Sequence, residues 1–355
     1  MIFFIFASLV TVFTAHWVIA FTSNACPNRA KFTAGTKDYI HSIRWTNKYL
    51  SRKLEPHIFA SRDFRDGTSA MDFERRRATL GRVPIISRTI PIGINVSAEP
   101  KENCTKKTLN VTIWEMERPS EIIQTWWSVE ESERSVMGDP FGVVMWPGSI
   151  LASKELMKHH YCSRQSQIEN ATVLVLGAGT GVEAQTAGLL GARKVIATDI
   201  NQMALGLLKY AIDNHGDSNY SMSSIVECRY FDVYSDQKLP HCDILVAADV
   251  LYNSDLAKRI GLRVHELVSY ALSENGAHSG IIITDSQKFH GTDFLLELKE
   301  LRELNELLLK SGLDQLQWED RKLQNVVGSG VLLDGDLVYD ADVRLLSWGW
   351  TTKTR

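Results

Sequence analysis

The segment TVLVLGAGTG, residues 172–181, joins five mostly apolar residues to three alternating glycines. The apolar run predicts a buried strand, because strands covered on both faces lack the polar alternation of half-exposed ones. Gly177, Gly179 and Gly181 predict a tight turn whose backbone approaches a ligand without interference from Cβ atoms. The dinucleotide fingerprint G-x-G-x-x-G needs glycine at position 182, where the chain has Val182, so NAD binding is disfavoured.

Short apolar runs alternate with amphipathic stretches around this segment. The pattern predicts an α/β fold with a mostly parallel sheet covered on both faces, whose ligands bind at the carboxyl ends of the strands. The final run is expected to pair antiparallel. Predicted strands lie at 172–176, 194–198, 225–231, 242–247, 280–284, 315–319 and 342–350, and predicted helices at 150–159, 182–190, 202–215, 254–272 and 293–310.

Residues 71–139 are predicted to form an amino-terminal extension to a main domain at 140–352. Strand-like runs occupy 83–94 and 109–116, and acidic helix-like residues occupy 130–133. Periodicity leaves two alternatives open: a β-rich addition packed on the main domain, or a partly disordered segment.

The composition is that of an ordinary folded protein, with 44% hydrophobic and 23% charged residues in a chain of 355. A net charge of −3 gives no broad attraction to a phosphate backbone, so no nucleic-acid partner is expected. The five cysteines show no C-x-x-C spacing, and H-E-x-x-H, G-x-S-x-G and P-loop motifs are absent. We therefore predict no metal site, hydrolase triad or nucleoside-triphosphate site.

The start of the chain resembles a targeting segment. Residues 1–20 form a signal-like apolar run, which is either cleaved or retained as a membrane helix, and a membrane partner is expected only if it is retained. The transit-like segment 21–70 has, up to residue 62, eight basic residues against two acidic ones. This arrangement resembles the two-part presequences of algae with complex plastids and predicts plastid import. Secretion and membrane anchoring are the alternatives.

Two acidic residues follow predicted strands at the binding edge. Asp199 lies twenty-two residues after Gly177, where a carboxylate accepts hydrogen bonds from the vicinal hydroxyls of a ribose. Asp232 follows the third strand, where it is placed to accept from an adenine amine. The alternative roles are a helix N-cap for Asp199 and a solvated turn for Asp232.

In this order, the glycine segment, Asp199 and Asp232 resemble the S-adenosylmethionine-dependent methyltransferases. The resemblance implies a seven-strand Rossmann-like sheet with its last strand antiparallel. It also implies the cofactor S-adenosyl-L-methionine, bound by the three glycines and the two aspartates. One departure stands out: the family usually has Asp or Glu two residues before the first glycine, and this chain has Val175.

Two further motifs resemble the family-16 methyltransferases, a group dominated by protein-lysine methyltransferases that includes those acting on the electron-transfer-flavoprotein β subunit and on calmodulin. They are W-P-G, beginning at Trp146, and D-x-x-Y, from Asp249 to Tyr252. The resemblance implies that Asp249 and Tyr252 are catalytic residues at the point of methyl transfer and that Trp146 closes the cofactor pocket. The alternative roles are a buried anchor for Trp146 and a cap for the helix beginning near Ser254 for Asp249.

These motifs predict an enzyme that transfers a methyl group to an acceptor nitrogen, with a lysine of a protein partner favoured. Asp249 would accept a hydrogen bond from the amine and orient its lone pair. A small-molecule N- or O-methyltransferase is one alternative, because the same fold serves both. A noncatalytic cofactor-binding module is the other, and Val175 is the residue that suggests it.

Overall fold

A computed structural model of the chain describes residues 76–96, 105–130, 139–163, 165–215, 222–273, 280–286, 294–296, 299, 302–310, 317–329 and 338–350. Its strands are β1 (Arg77–Leu80), β2 (Val83–Val96), β3 (Thr105–Met116), β4 (Thr172–Leu176), β5 (Lys194–Asp199), β6 (Val226–Tyr230), β7 (Ile244–Ala248), β8 (Gly280–Asp285), β9 (Glu319–Ser329) and β10 (Val338–Trp348). Its helices are α1 (Pro119–Ser128), α2 (Pro147–Tyr161), α3 (Val182–Leu189), α4 (Gln202–Asp213), α5 (Met222–Ile225), α6 (Ser254–Ser273) and α7 (Arg302–Lys310), and a 3-10 turn spans Pro140–Val143.

Within these residues, the main sheet has seven strands in the order β6-β5-β4-β7-β8-β10-β9. Neighbouring strands from β6 to β8 are parallel, and β10 runs antiparallel to both β8 and β9. The predicted seven-strand α/β fold with an antiparallel last strand is therefore confirmed. The carboxyl ends of β4, β5 and β7 meet at one edge, where a ligand site is expected.

The β4 strand lies at the centre of this sheet because its residues are apolar on both faces. Val173 and Val175 pack in the core layer that contains α2 and α3, whereas Leu174 and Leu176 pack in the opposite layer with α6. All four are fully buried. Such a strand has no solvent face, which explains why its sequence lacks polar alternation.

The amino-terminal extension forms a second sheet, β1-β2-β3, with antiparallel pairing throughout. Its buried residues Ile92, Val111 and Ile113 join the core layer of α2 and α3. The β-rich alternative is thus the one observed for the described part of the extension. Glu115 of β3 accepts a hydrogen bond from the backbone N–H of Met145 at 2.7 Å, which fixes the segment leading into α2.

Several predicted boundaries were wrong. The strand predicted at 315–319 is β9, at Glu319–Ser329. The helix predicted at 293–310 is not contradicted, since all of its described residues, 294–296, 299 and 302–310, are helical. Glu130 is not helical, and residues 131–133 lie outside the described part. The helix in this region is α1, which begins at Pro119, a residue suited to a first helical turn.

Residues 1–20 and 21–70, on which the targeting predictions rest, lie outside the described part of the chain. Among the helices that are described, none combines the length and apolar character required to cross a bilayer.

Candidate active site

The loop between β4 and α3 has the backbone conformation that its glycines predict. Gly177, Gly179 and Gly181 have φ angles of +67°, +50° and +80°, a region that L side chains rarely adopt. A Cβ atom on Gly177 would lie 2.4 Å from Cγ1 of Val250, and one on Gly181 would lie 2.2 Å from Cδ1 of Leu208. Both positions therefore require glycine for close packing as well as for conformation.

Asp199 ends β5 with its carboxylate turned to this loop. One oxygen, Oδ2, accepts from the Gly179 N–H at 2.9 Å, and Oδ1 accepts from the Asn201 N–H at 2.7 Å. Burial raises the pKa of Asp199 to about 6, although these backbone hydrogen bonds favour the charged form. The N-cap of α4 is Asn201, whose side chain accepts from Met203 and Ala204. Asp199 is therefore not the cap of that helix.

The residues around Asp199 fit an adenosine. Each carboxylate oxygen can accept more than one hydrogen bond, so both retain capacity for ribose hydroxyls. The next residue, Ile200, is 41% exposed and offers an apolar surface on which a purine ring can lie. Asp232 is half-buried and accepts from the Tyr234 N–H at 2.8 Å, which closes a turn. Its contact with adenine stays a prediction.

Asp249 follows β7 with a φ angle of +54° and a buried side chain. Its Oδ2 accepts from the Gly148 N–H at the start of α2, and its Oδ1 accepts from the Ser286 N–H after β8, both at 2.6 Å. Burial raises its pKa, whereas these hydrogen bonds act in the opposite direction. A Cβ atom on Gly148 would lie 2.5 Å from Oδ2, so the glycine of W-P-G is required for this contact.

The capping role considered for Asp249 belongs to another residue. Asn253 accepts from the Leu256 N–H at 3.0 Å at the start of α6. Both candidate aspartates, Asp199 and Asp249, are thus followed by an asparagine that caps the amino terminus of the next helix. Their carboxylates are held instead by backbone N–H groups at the carboxyl edge of the sheet.

Asp139, which the sequence did not single out, contacts residues near both Asp199 and Asp249. The Tyr252 hydroxyl donates to its carboxylate, and the Asn201 side chain donates to its carbonyl oxygen. Burial raises the pKa values of both Asp139 and Tyr252. The sequence feature that could have identified Asp139 is the dipeptide Asp139-Pro140 before an apolar run, because Asp-Pro favours a turn or a helix start. Asp139 does cap the 3-10 turn, by accepting from the Phe141 N–H at 2.8 Å.

This 3-10 turn carries an aromatic cluster to the site. The Phe141 ring lies 6.0 Å from that of Tyr252 and 6.2 Å from that of Trp146, between ring centroids. Trp146 donates from Nε1 to the Phe141 carbonyl at 2.9 Å. A Cβ atom on Gly142 would lie 3.6 Å from Oδ2 of Asp199. Trp146 thus stabilises the turn that lies beside Asp199, and a direct contact with the cofactor stays a prediction.

Comparison with known proteins supports the methyltransferase class that the sequence predicts. A family model described as lysine methyltransferase matches residues 130–270. Mouse protein-lysine methyltransferase METTL21E is 33% identical over 118 residues, which cover 32% of this chain and 46% of that protein. Mouse electron transfer flavoprotein beta subunit lysine methyltransferase is 26% identical over 137 residues, covering 39% and 48%. The chain thus spans about half the length of these relatives.

Among solved structures, the human methyltransferase 10 domain containing protein has 10% identity and a TM-score of 0.33, covering 58% of this chain and 83% of that one.

The glycine loop and the edge carboxylates, together with the family match over residues 130–270, make this domain similar to S-adenosylmethionine-dependent methyltransferases. This domain is similar to the lysine methyltransferases, as the motifs from Trp146 and Asp249 imply.

Proposed function

We propose that the protein transfers the methyl group of S-adenosylmethionine to the side-chain amine of a lysine in another protein. The observation that carries the proposal is the position of Asp249. Its carboxylate is fixed by two backbone N–H groups at the carboxyl end of β7, and β7 is the direct neighbour of the strand that leads into the glycine loop. An acceptor bound to Asp249 would therefore lie close to a cofactor bound by the loop.

Methyl transfer to an amine assigns a role to each of these residues. The cofactor supplies an electrophilic methyl group, and the acceptor amine must be neutral and held about 3 Å from it. A lysine with a pKa near ~10.4 costs about 4 to 5 kcal/mol to neutralise at neutral pH, and desolvation lowers that cost. Phe141 and Tyr252 provide an aromatic wall for desolvation. Asp249 accepts a hydrogen bond from the amine and orients its lone pair.

The lysine acceptor is also supported by the names of the relatives, which are protein-lysine methyltransferases at 33% and 26% identity. A small-molecule acceptor would use the same fold and cofactor. A noncatalytic module would bind the cofactor without turnover. One experiment separates the three functions.

The full chain is incubated with S-adenosylmethionine that carries a labelled methyl group and with a protein extract, and the products are divided into macromolecules and small molecules. We expect label in protein, and mass spectrometry of digests should place it on lysine. The Asp249→Ala variant should give at least about 100-fold less. Label found only in small molecules would contradict the lysine proposal, and cofactor binding without any transfer would favour the noncatalytic module.

We also propose that residues 1–70 direct the protein to a plastid by a two-part presequence. The support is the apolar run at 1–20, followed by a basic segment poor in acids. A fluorescent protein fused behind residues 1–70 is expected to enter the plastid of an alga with complex plastids. Fluorescence confined to the secretory pathway or to a membrane would overturn this proposal and favour the corresponding alternative.

A further inference from the structure

Glu183 is a buried acid that has no role in the proposed reaction. It lies in the first turn of α3, directly after the glycine loop, and only 1% of its surface is exposed. An acid in such a position is costly to ionise unless a donor or a cation faces it. The position of Glu183 beside the glycine loop therefore requires an explanation.

The neighbours of Glu183 satisfy only part of its carboxyl group. The Ser149 side chain of α2 forms a hydrogen bond with it, and Oε2 has no hydrogen-bond partner among the residues that the structure describes. Asp249 lies close enough for its charge to act on Glu183, and Ser149 follows Gly148, which binds Asp249. The unsatisfied oxygen therefore belongs to the region between the glycine loop and Asp249.

This region is where the amino-acid end of the cofactor must extend. The adenosine part is assigned to Asp199 and Ile200, and the methyl group must approach Asp249. The amino-acid part carries an α-ammonium, for which a carboxylate is the strongest acceptor. At the position where resembling methyltransferases have an acid, this chain has Val175, which is fully buried in an apolar layer and cannot accept a hydrogen bond through its side chain.

We propose that Glu183 binds the α-ammonium of S-adenosylmethionine and thereby replaces the acid missing at position 175. The proposal rests on the assignment of the cofactor but not on the identity of the acceptor. Burial raises the pKa of Glu183 to about 7, with Asp249 acting in the same direction. A bound ammonium favours the ionised carboxylate, so its arrival releases a proton from Glu183.

The test compares two ligands by calorimetric titration of the full chain. S-adenosylhomocysteine has the amino-acid end, whereas methylthioadenosine keeps the adenosine and lacks that end. We expect Glu183→Gln, which preserves side-chain shape, to weaken the first ligand about tenfold or more and to leave the second unchanged. Glu169→Gln, an exposed acid on the loop before β4, is the matched control and should change neither affinity.

Wild-type protein provides a second measurement in case the variant folds poorly. Titrations at pH 6.5 in two buffers of different ionisation enthalpy report the protons released on binding. Release with S-adenosylhomocysteine should exceed release with methylthioadenosine, because any contribution of Asp199 to ribose binding is common to both ligands. Equal release, or equal affinity changes for both ligands in Glu183→Gln, would overturn the proposal.

An unchanged affinity with a reduced turnover would also overturn it, and would assign Glu183 to the proton of the acceptor amine. Failure of the wild-type protein to bind either ligand would count against the cofactor assignment instead.

Discussion

Asp249→Ala is expected to lower kcat at least about 100-fold while changing the affinity for S-adenosylmethionine less than about threefold. The variant removes the carboxylate that orients the acceptor amine. It also leaves the N–H groups of Gly148 and Ser286 without their present partner, which costs about 1 to 3 kcal/mol of folding free energy for each buried group. Thermal unfolding and single-turnover methyl transfer should be measured on the same preparation.

A variant at the other end of β7 controls for this loss of stability. Asp243 precedes β7 and accepts from the Thr172 N–H at 2.7 Å, so Asp243→Ala also removes a carboxylate that binds a backbone amide. It should destabilise the fold without lowering kcat more than about threefold. If both variants lose turnover equally, Asp249 acts through stability alone and its catalytic assignment is wrong.

Asp199→Ala is expected to weaken the binding of S-adenosylmethionine about 100-fold, because two hydrogen bonds from ribose hydroxyls to a charged acceptor are lost. The binding constant is measured by calorimetry for the cofactor and for its 2′-deoxy analogue. Wild-type protein should prefer the cofactor, and Asp199→Ala should bind the two ligands equally. A variant that still discriminates between them would show that the ribose lies elsewhere.

The pH dependence of binding gives a second check on Asp199. Its pKa is raised to about 6, so the carboxylate is mostly ionised above that pH and becomes protonated below it. Because the ionised form is the better acceptor, cofactor affinity should fall as the pH is lowered through about 6. Measured with methylthioadenosine, which lacks the amino-acid end assigned to Glu183, this decrease should be seen in the wild-type protein and lost in Asp199→Asn, which cannot titrate.

The parts of the fold that the sequence predicted well are those where burial is complete. The predicted bounds of β4 agree with the structure, since all five residues are buried and the pattern is unambiguous. In contrast, β9 was misplaced by several residues, because it is an edge strand on which exposed Lys322 and Gln324 resemble a loop. β1 was missed for the same reason, with its alternation limited to half-exposed residues.

The candidate site divides in a similar way. Asp199 and Asp249 could be predicted because each stands at the carboxyl end of a strand, Asp199 as its last residue and Asp249 as the next one, a position that the local pattern reveals. The partners that hold them could not, since the contact of Gly148 with Asp249 joins residues 101 positions apart. The capping roles of Asn201 and Asn253 were likewise overlooked, although both asparagines stand directly before predicted helices.

The position of β10 has a consequence for biosynthesis. Among the described residues it is the last strand in chain order, yet it lies inside the sheet, paired on one side with β8 and on the other with β9. During translation the strands from β4 to β8 can assemble in sequence, but the edge of β8 has no permanent partner until β10 leaves the ribosome. An exposed strand edge invites wrong pairing, so the nascent chain should depend on chaperones until β10 has left the ribosome.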